Sequence, residues 1–329
     1  MMSLRRRDLL AGLVAVEACK PVARAFARSK PKIGCCSTCF QSSAPETSPE
    51  TAVEIIGDIG FDGVELVIGS PKELHDYWTV RTLDRLQMLL RERQLGVPEL
   101  GLYRLLVQDL TSPDADVRGR CLENFEAGCK IARKLGSPII RVASQWPHEL
   151  SCPMEALAGY YELANPKPGE KFHIRIAPPF DWDDVWDRYI QITRQCLARA
   201  KSYGLLLAIE PHTNTIVHDA TAFLRLWDAI RDPSLGCNLD VGFAARNREY
   251  PPLAIYQLKK HLINLHIRDI DGRMRDFVNF GDGVLDFKGI ADAVKAVGFE
   301  RYVTIEQASG PATSEGCRRF VQAMKENFV

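Results

Sequence analysis

Four residues carry the clearest chemical signal in this chain: Glu210, Asp240, His266 and Glu306. Each comes at the end of an apolar run, in Leu205-Leu-Leu-Ala-Ile-Glu210, Cys237-Asn-Leu-Asp240, Ile263-Asn-Leu-His266 and Val303-Thr-Ile-Glu306. A carboxylate at the end of a buried strand is costly unless a cation compensates it. One such acid alone is most simply a salt-bridged strand end, but four polar groups in register on successive strands read as one cation site. Three carboxylates and an imidazole form an oxygen-rich donor set that suits one Mn²⁺, Mg²⁺ or Co²⁺ ion, with Zn²⁺ also compatible, and leaves positions for substrate oxygens. Alternate residues of a strand share a face, which puts His212 with Glu210 and Arg268 with His266. His212 is expected either to reach a substrate or to support a ligand. Arg268, always charged, either holds a substrate oxygen or pairs with Asp269 or Asp271. Glu65, at the end of an earlier run, either binds a hydroxyl group or makes a structural ion pair.

The elements that must position these groups are legible as an alternation. Strand-like runs are expected at Ile33–Phe40, Gly63–Ile68, Pro98–Leu105, Ile139–Ser144, Leu205–His212, Gly236–Gly242, Ile263–Asp269 and Tyr302–Gln307. Helical stretches are expected near Pro49–Ile59, Leu83–Gln94, Asp114–Leu135, Trp182–Tyr203, Ala220–Ile230, Leu253–Leu262, Gly289–Val297 and Ser314–Asn327. Strict strand–helix alternation with short loops implies parallel strands and right-handed crossovers, and this number of units fits a closed (β/α)₈ TIM barrel. Active groups of such a barrel gather at the C-terminal ends of its strands, where the four residues fall. No strand leads into a GxGxxG or P-loop phosphate cradle, and no Pro-, Gly- or Ser-rich linker divides the chain, so a single domain is expected. One connection is long, from Gln145 to Asp181. Its Trp146, Tyr160, Tyr161, Phe172 and His173 are suited to stacking on a sugar ring or sealing out water, with a packed insertion or an oligomer contact as the alternative.

The balance of 42 basic and 42 acidic residues among 329 provides no global field for nucleic acid or an anionic membrane. A small, neutral or weakly charged ligand fits better. The ten cysteines are irregularly spaced. Cys35, Cys36 and Cys39 form the one cluster, and with no second ligand pair they read as core thiols rather than a redox or metal site.

Residues 1–27 read as an export signal: Arg5, Arg6 and Arg7 precede the apolar run Leu9 to Val16, and small residues follow at Ala23, Ala25 and Ala27. The run is too short to span a bilayer, which takes roughly 20 helical residues. Arg6-Arg7-Asp8-Leu9-Leu10 resembles a twin-arginine signal, implying periplasmic export of an already folded protein, with residues 28–329 as the mature barrel. Replacing Arg6 and Arg7 together by Lys is expected to trap precursor in the cytoplasm. Cell fractionation that finds the double variant exported and processed normally would refute this.

The motifs also carry a family resemblance. Phe61-Asp-Gly-Val-Glu65, Ala132-Arg-Lys-Leu-Gly136, Ile209-Glu210, Leu239-Asp240, His266-Ile-Arg-Asp269, Gly281-Asp-Gly283 and Ile305-Glu306 occur in the order and at the spacing of the xylose-isomerase-like sugar isomerase/epimerase superfamily, which this chain resembles over nearly all of its mature length. The resemblance implies that Glu210, Asp240, His266 and Glu306 are metal ligands and that Glu210 and Glu306 form the acid/base pair. It implies a metal-dependent isomerase or epimerase of a ketose or keto-sugar derivative working through an enediolate. A dehydratase or lyase acting on an inosose or keto-glycoside begins with the same proton abstraction, and a non-catalytic sugar-binding protein could keep the same fold. One departure stands out: Phe243 occupies the place, three residues after the sixth-strand Asp, where relatives often carry His. Phe cannot ligate, which disfavours the multi-zinc nuclease branch and removes a sugar contact of the ketose epimerases. Gly281-Asp-Gly283 is expected to let backbone approach the site.

Overall fold

Eight parallel strands close a barrel in the computed structural model: β1 (Lys32–Cys36), β2 (Gly63–Ile68), β3 (Leu100–Leu102), β4 (Ile139–Ala143), β5 (Leu206–Glu210), β6 (Leu235–Asp240), β7 (Leu262–Ile267) and β8 (Tyr302–Ile305). The structure describes residues 30–41, 48–151, 169, 175–274, 277–307, 310 and 312–328, so the signal-like residues 1–27 lie outside the described part. Closure is made by β1 pairing with β8, Lys32 opposite Tyr302 and Cys35 opposite Ile305. The register that matters most runs across β5 to β8. Ile209 stands opposite Cys237, Asp240 opposite His266 and Thr304 opposite His266, so the polar strand ends share one rim.

The surrounding helices α1 (Pro49–Ile59), α2 (Val80–Glu92), α3 (Ala115–Leu135), α4 (Trp182–Ser202), α5 (Ala220–Ile230), α6 (Pro251–Leu258), α7 (Phe287–Val297) and α8 (Thr313–Asn327) bury one apolar face each against the strands. Leu86, Phe125, Phe223 and Phe320 are wholly buried on those faces. The N-termini are set by side chains that accept orphan backbone N–H groups: Ser48 from Thr51, Thr79 from Thr82, Asp114 from Asp116 and Val117, Asp219 from Ala222, and Asp286 from Gly289. These caps explain why α2 and α7 begin ahead of the expected Leu83 and Gly289.

Several strands are shorter than their apolar runs. After Cys36 the first run turns into a 3₁₀ helix, Ser37–Cys39, and the third keeps only Leu100–Leu102 before a helical turn at Arg104–Val107. The sixth stops at Asp240 because its carboxylate caps a short helix, Val241–Arg246, accepting from Gly242 N at 2.8 Å and Phe243 N at 3.1 Å. The expected helix Leu253–Leu262 ends at Leu258, and a 3₁₀ turn at Lys259–His261 leads directly into β7. Cys35, Cys36 and Cys39 are buried free thiols, joined in the core by Cys317, whose Sγ lies 4.0 Å from that of Cys35. The long connection is closed at its base by an antiparallel pair, Leu150–Ser151 with Arg175–Ile176. Its Tyr160, Tyr161, Phe172 and His173 lie outside the described residues. Among the described residues, no helix is long and apolar enough to cross a membrane.

Glu249, at the start of the loop into α6, gives the fold a pH dependence. Its Oε1 accepts from Ala220 N at 3.2 Å, whereas Oε2 is buried without a donor. Burial pushes this carboxyl from the ordinary 4.5 up to about 7, against the Ala220 hydrogen bond. A raised folded value means that the native chain keeps a proton the unfolded chain has released, so stability falls as pH rises through this window. Glu249→Gln is expected to remove that loss, on the order of 1 kcal/mol after solvent screening, in thermal melts between pH 4.5 and 7.5. An unaltered slope would count against it.

Candidate metal centre

At the C-terminal rim of the barrel, Glu210, Asp240, His266 and Glu306 are all buried, and one donor atom from each lies within 4.8 Å of the others. Each carboxylate has part of its hydrogen-bonding capacity tied down. Glu210 Oε2 accepts from Arg141 Nη1 at 2.5 Å and lies 2.9 Å from His212 Nε2, while Asn238 Nδ2 donates to Oε1 at 3.0 Å. Asp240 Oδ1 is held by the backbone cap and Oδ2 by Arg268 Nε at 2.9 Å. Arg268 reaches on to Glu306 Oε1 at 2.5 Å, an oxygen that also accepts from Tyr103 at 3.4 Å. The His266 ring is oriented by Glu65, whose Oε2 lies 2.8 Å from Nε2, leaving Nδ1 facing Glu210 Oε1 at 3.0 Å and Glu306 Oε2 at 2.9 Å.

Behind these groups lies a layer that sequence reasoning did not single out. Arg141, on β4 and wholly buried, donates from Nε to Glu99 at 2.6 Å and from Nη2 to Glu65 at 3.1 Å, in addition to Glu210. Asn264 Nδ2 reaches Glu65 Oε2 at 3.3 Å. The available signal was a charged residue inside an otherwise apolar strand, Ile139-Ile-Arg141-Val142, and an acid, Glu99, just ahead of another. Both fall within the expected strands, where sequence spacing alone names no partner for either.

Five buried carboxylates, Glu65, Glu99, Glu210, Asp240 and Glu306, thus share two guanidinium groups and two imidazoles, those of His266 and His212. The acids outnumber the two groups that are always charged, Arg141 and Arg268. Burial, then repulsion from Glu65, pushes Glu99 well above the usual carboxyl range, and burial lifts Asp240 against the pull of Arg268. Burial also opposes the charged forms of Glu210 and Glu306, but Arg141 and His212 hold the first well below its usual range, and Arg268 and His266 hold the second below it. His266 is drawn well above its ordinary value, against burial, chiefly by Glu65.

A family model described as xylose isomerase-like TIM barrel matches residues 53–324. The chain belongs to that family. Among curated relatives, an inosose dehydratase from Lacticaseibacillus casei is 22% identical over 164 residues, which span 45% of this chain and 55% of that protein. A 3-oxo-isoapionate decarboxylase from Pectobacterium atrosepticum is 28% identical over 117 residues, 33% of this chain and 42% of that protein. The chain therefore covers about half the length of the curated relatives it matches. Of the solved structures, 3-keto-D-glucoside 4-epimerase from E. coli superposes with a TM-score of 0.67 at 18% identity, covering 90% of this chain and 100% of that one. D-allulose 3-epimerase from Methylomonas sp., in complex with D-allulose, gives 0.67 at 14% identity, covering 91% and 98%. At these identities the structural likeness speaks for the fold.

A divalent cation fits the donor set of this family member. Glu306 Oε2 lies 2.9 Å from His266 Nδ1 yet off the line of a hydrogen bond, so a buried carboxylate oxygen has no donor at the point where the four side chains converge. Burying such an oxygen unpaired is costly, and a cation there would satisfy it. With His266 held through Nε2 by Glu65, Nδ1 is the nitrogen left for an ion, the usual division of labour for a ligating imidazole.

The remaining candidates fall around this centre. His212 stacks on Phe243 with centroids 4.0 Å apart, Phe277 meets Phe243 edge-on at 5.2 Å, and the Arg268 guanidinium lies 4.5 Å from the Phe277 ring. The aromatic that departs from the family pattern therefore backs His212. Arg268 pairs with Asp240 and Glu306, not with the Asp269 or Asp271 that its position had suggested. Asp269 instead organises a loop, its Oδ2 accepting from Gly281 N and Gly283 N and its Oδ1 from Leu285 N. A Cβ on Gly283 would stand 2.3 Å from Asp269 Oδ1, so the Gly-Asp-Gly motif serves the close approach of backbone to Asp269 rather than to the four clustered side chains. Glu65 makes the ion pair, fully buried, and Trp146 begins the long connection half-buried, its carbonyl accepting from Thr111 at 3.1 Å.

Proposed function

We propose that this chain is a divalent-metal-dependent isomerase or epimerase of a ketose or keto-sugar derivative, working through an enediolate with Glu210 and Glu306 as the acid/base pair. The observation that carries the reading is the placement of Glu210 and Glu306 on either side of His266 Nδ1, each with one oxygen tied to a guanidinium and the other turned to the convergence. Glu210, Asp240, His266 and Glu306 would hold the ion, which supplies Lewis-acid polarisation of a carbonyl and its neighbouring hydroxyl oxygen.

The protein's own groups do the rest. Glu306, kept ionised by Arg268 and His266, is suited to take a proton from the carbon beside the carbonyl at its donor-free Oε2. Glu210, entering the cycle protonated by way of His212 at 2.9 Å, delivers a proton to the opposite face of that carbon, and the proton taken by Glu306 passes to solvent. Arg268 bridges Asp240 and Glu306 and fixes their spacing. The epimerase names of the structural relatives support the isomerase reading. The inosose dehydratase name among the curated relatives supports a second, in which the same abstraction is followed by loss of a β-hydroxyl group. The separating experiment incubates the metal-loaded protein in D₂O with a keto-sugar panel that includes D-allulose, a 3-keto-glucoside and an inosose, and follows products by NMR. Isomerisation keeps the composition and gains deuterium, whereas dehydration loses water.

A further inference from the structure

Inside the barrel, beside the first set, Glu65, Glu99 and His266 also bring ligand atoms within 4.8 Å of one another. Arg141 pairs with two of the three, Glu65 and Glu99. Its three nitrogens each meet a different acid, Nη2 on Glu65, Nε on Glu99 and Nη1 on Glu210, with the guanidinium almost completely shut off from solvent. The neighbouring strand is shaped to admit it, because a Cβ on Gly101 would stand 2.5 Å from Arg141 Nη2. Glu99 Oε2 remains buried without a donor, so the acids here exceed what one guanidinium satisfies.

We infer that Arg141 is a built-in cation that keeps this site to one exchangeable metal ion: it occupies the place among Glu65, Glu99 and Glu210 that a second ion would otherwise take, and it fixes Glu210 in its ligand posture. Arginine suits that role because it stays charged when buried and presents a rigid fork, whereas lysine offers one mobile point charge. Arg141 is thus a positioning residue, acting on the centre through Glu210 and, through Glu65, on the His266 ring. The inference rests on the proposed metal site for its count of ions, but not for the role of Arg141 as counter-charge.

The test uses the full mature chain, stripped with EDTA and titrated with Mn²⁺ by calorimetry, with bound metal measured by elemental analysis and melting followed with and without the ion. The wild type is expected to take up one ion. Arg141→Met, which keeps volume and removes charge, is expected to melt about 10 °C lower in EDTA, recover in Mn²⁺ and bind two ions. Adding Glu99→Gln should restore part of the EDTA melting point by removing one unpaired acid. Arg141→Lys and Gly101→Ala, the milder variants if Arg141→Met does not fold, should still bind one ion, but about ten- to a hundredfold more weakly, as when a partner behind a ligand is disturbed. Arg141→Met holding one ion with wild-type affinity would overturn the inference, as would wild-type affinity in both milder variants. A wild type that takes up no metal would contradict the proposed function alone. The EDTA melting point of Arg141→Met then decides the present inference, lowered if Arg141 is the counter-charge and unchanged if it is not.

Discussion

Asp240→Ala is expected to abolish tight metal binding, reducing stoichiometric Mn²⁺ or Co²⁺ in the dialysed wild type to trace levels in the variant. Asp240 is tied at both oxygens, to the cap of the helix Val241–Arg246 and to Arg268, so the substitution deletes a ligand and frees the guanidinium that also holds Glu306. Breaking a buried pair of this kind costs about 3–5 kcal/mol and losing the cap about 1 kcal/mol, so the variant should also melt earlier. Asp240→Asn separates the two effects, because it keeps an acceptor for Gly242 N while giving up the charge. It should keep the cap's contribution of about 1 kcal/mol while losing the ion pair with Arg268, and still bind metal poorly. His266→Ala tests the opposite side of the centre. Unchanged, stoichiometric metal in Asp240→Ala and His266→Ala, read by elemental analysis, would remove the proposed site.

Replacing either Glu210 or Glu306 by Gln is expected to depress turnover by about 10²-fold or more, the range of a positioned acid or base, while metal binding weakens but stays detectable. The two variants should differ in their accompanying damage. Glu210→Gln disturbs Arg141, Asn238 and His212, whereas Glu306→Gln disturbs chiefly Arg268 and Tyr103. A larger loss of stability is therefore expected for Glu210→Gln at a comparable loss of turnover. Full turnover in both variants would leave the acid/base assignment without support.

The barrel was legible because its signal is repeated: eight apolar runs, each followed by a helical stretch, leave few topologies open. The clustering of Glu210, Asp240, His266 and Glu306 was legible for a related reason, since each is a polar residue terminating an apolar run. Arg141 and Glu99 escaped because they lie within or just ahead of strands, and nothing local in a sequence pairs an arginine on β4 with acids on β2 and β5. Their partnership is long-range and becomes visible only when closure of the barrel brings inward side chains together. Arg268 meets neither of its neighbouring acids, for the opposite reason. Asp269 and Asp271 are near in sequence, but alternation along the strand turns Asp269 away from Arg268 and towards the Gly281–Gly283 loop, while closure brings Asp240 and Glu306 within reach. Strand ends were overestimated wherever a side chain or a turn captured the backbone first, as at Asp240 and at Ser37–Cys39.

The central claim is that a proton leaves and returns at the carbon beside the carbonyl, and incorporation of solvent deuterium tests it most directly. Metal-loaded wild-type protein should convert a member of the keto-sugar panel in D₂O to a product of unchanged composition, with one deuterium at that carbon by NMR and mass spectrometry, and Glu306→Gln should show little of it. Turnover without deuterium at that position would contradict the account and point to a hydride carried directly between carbons.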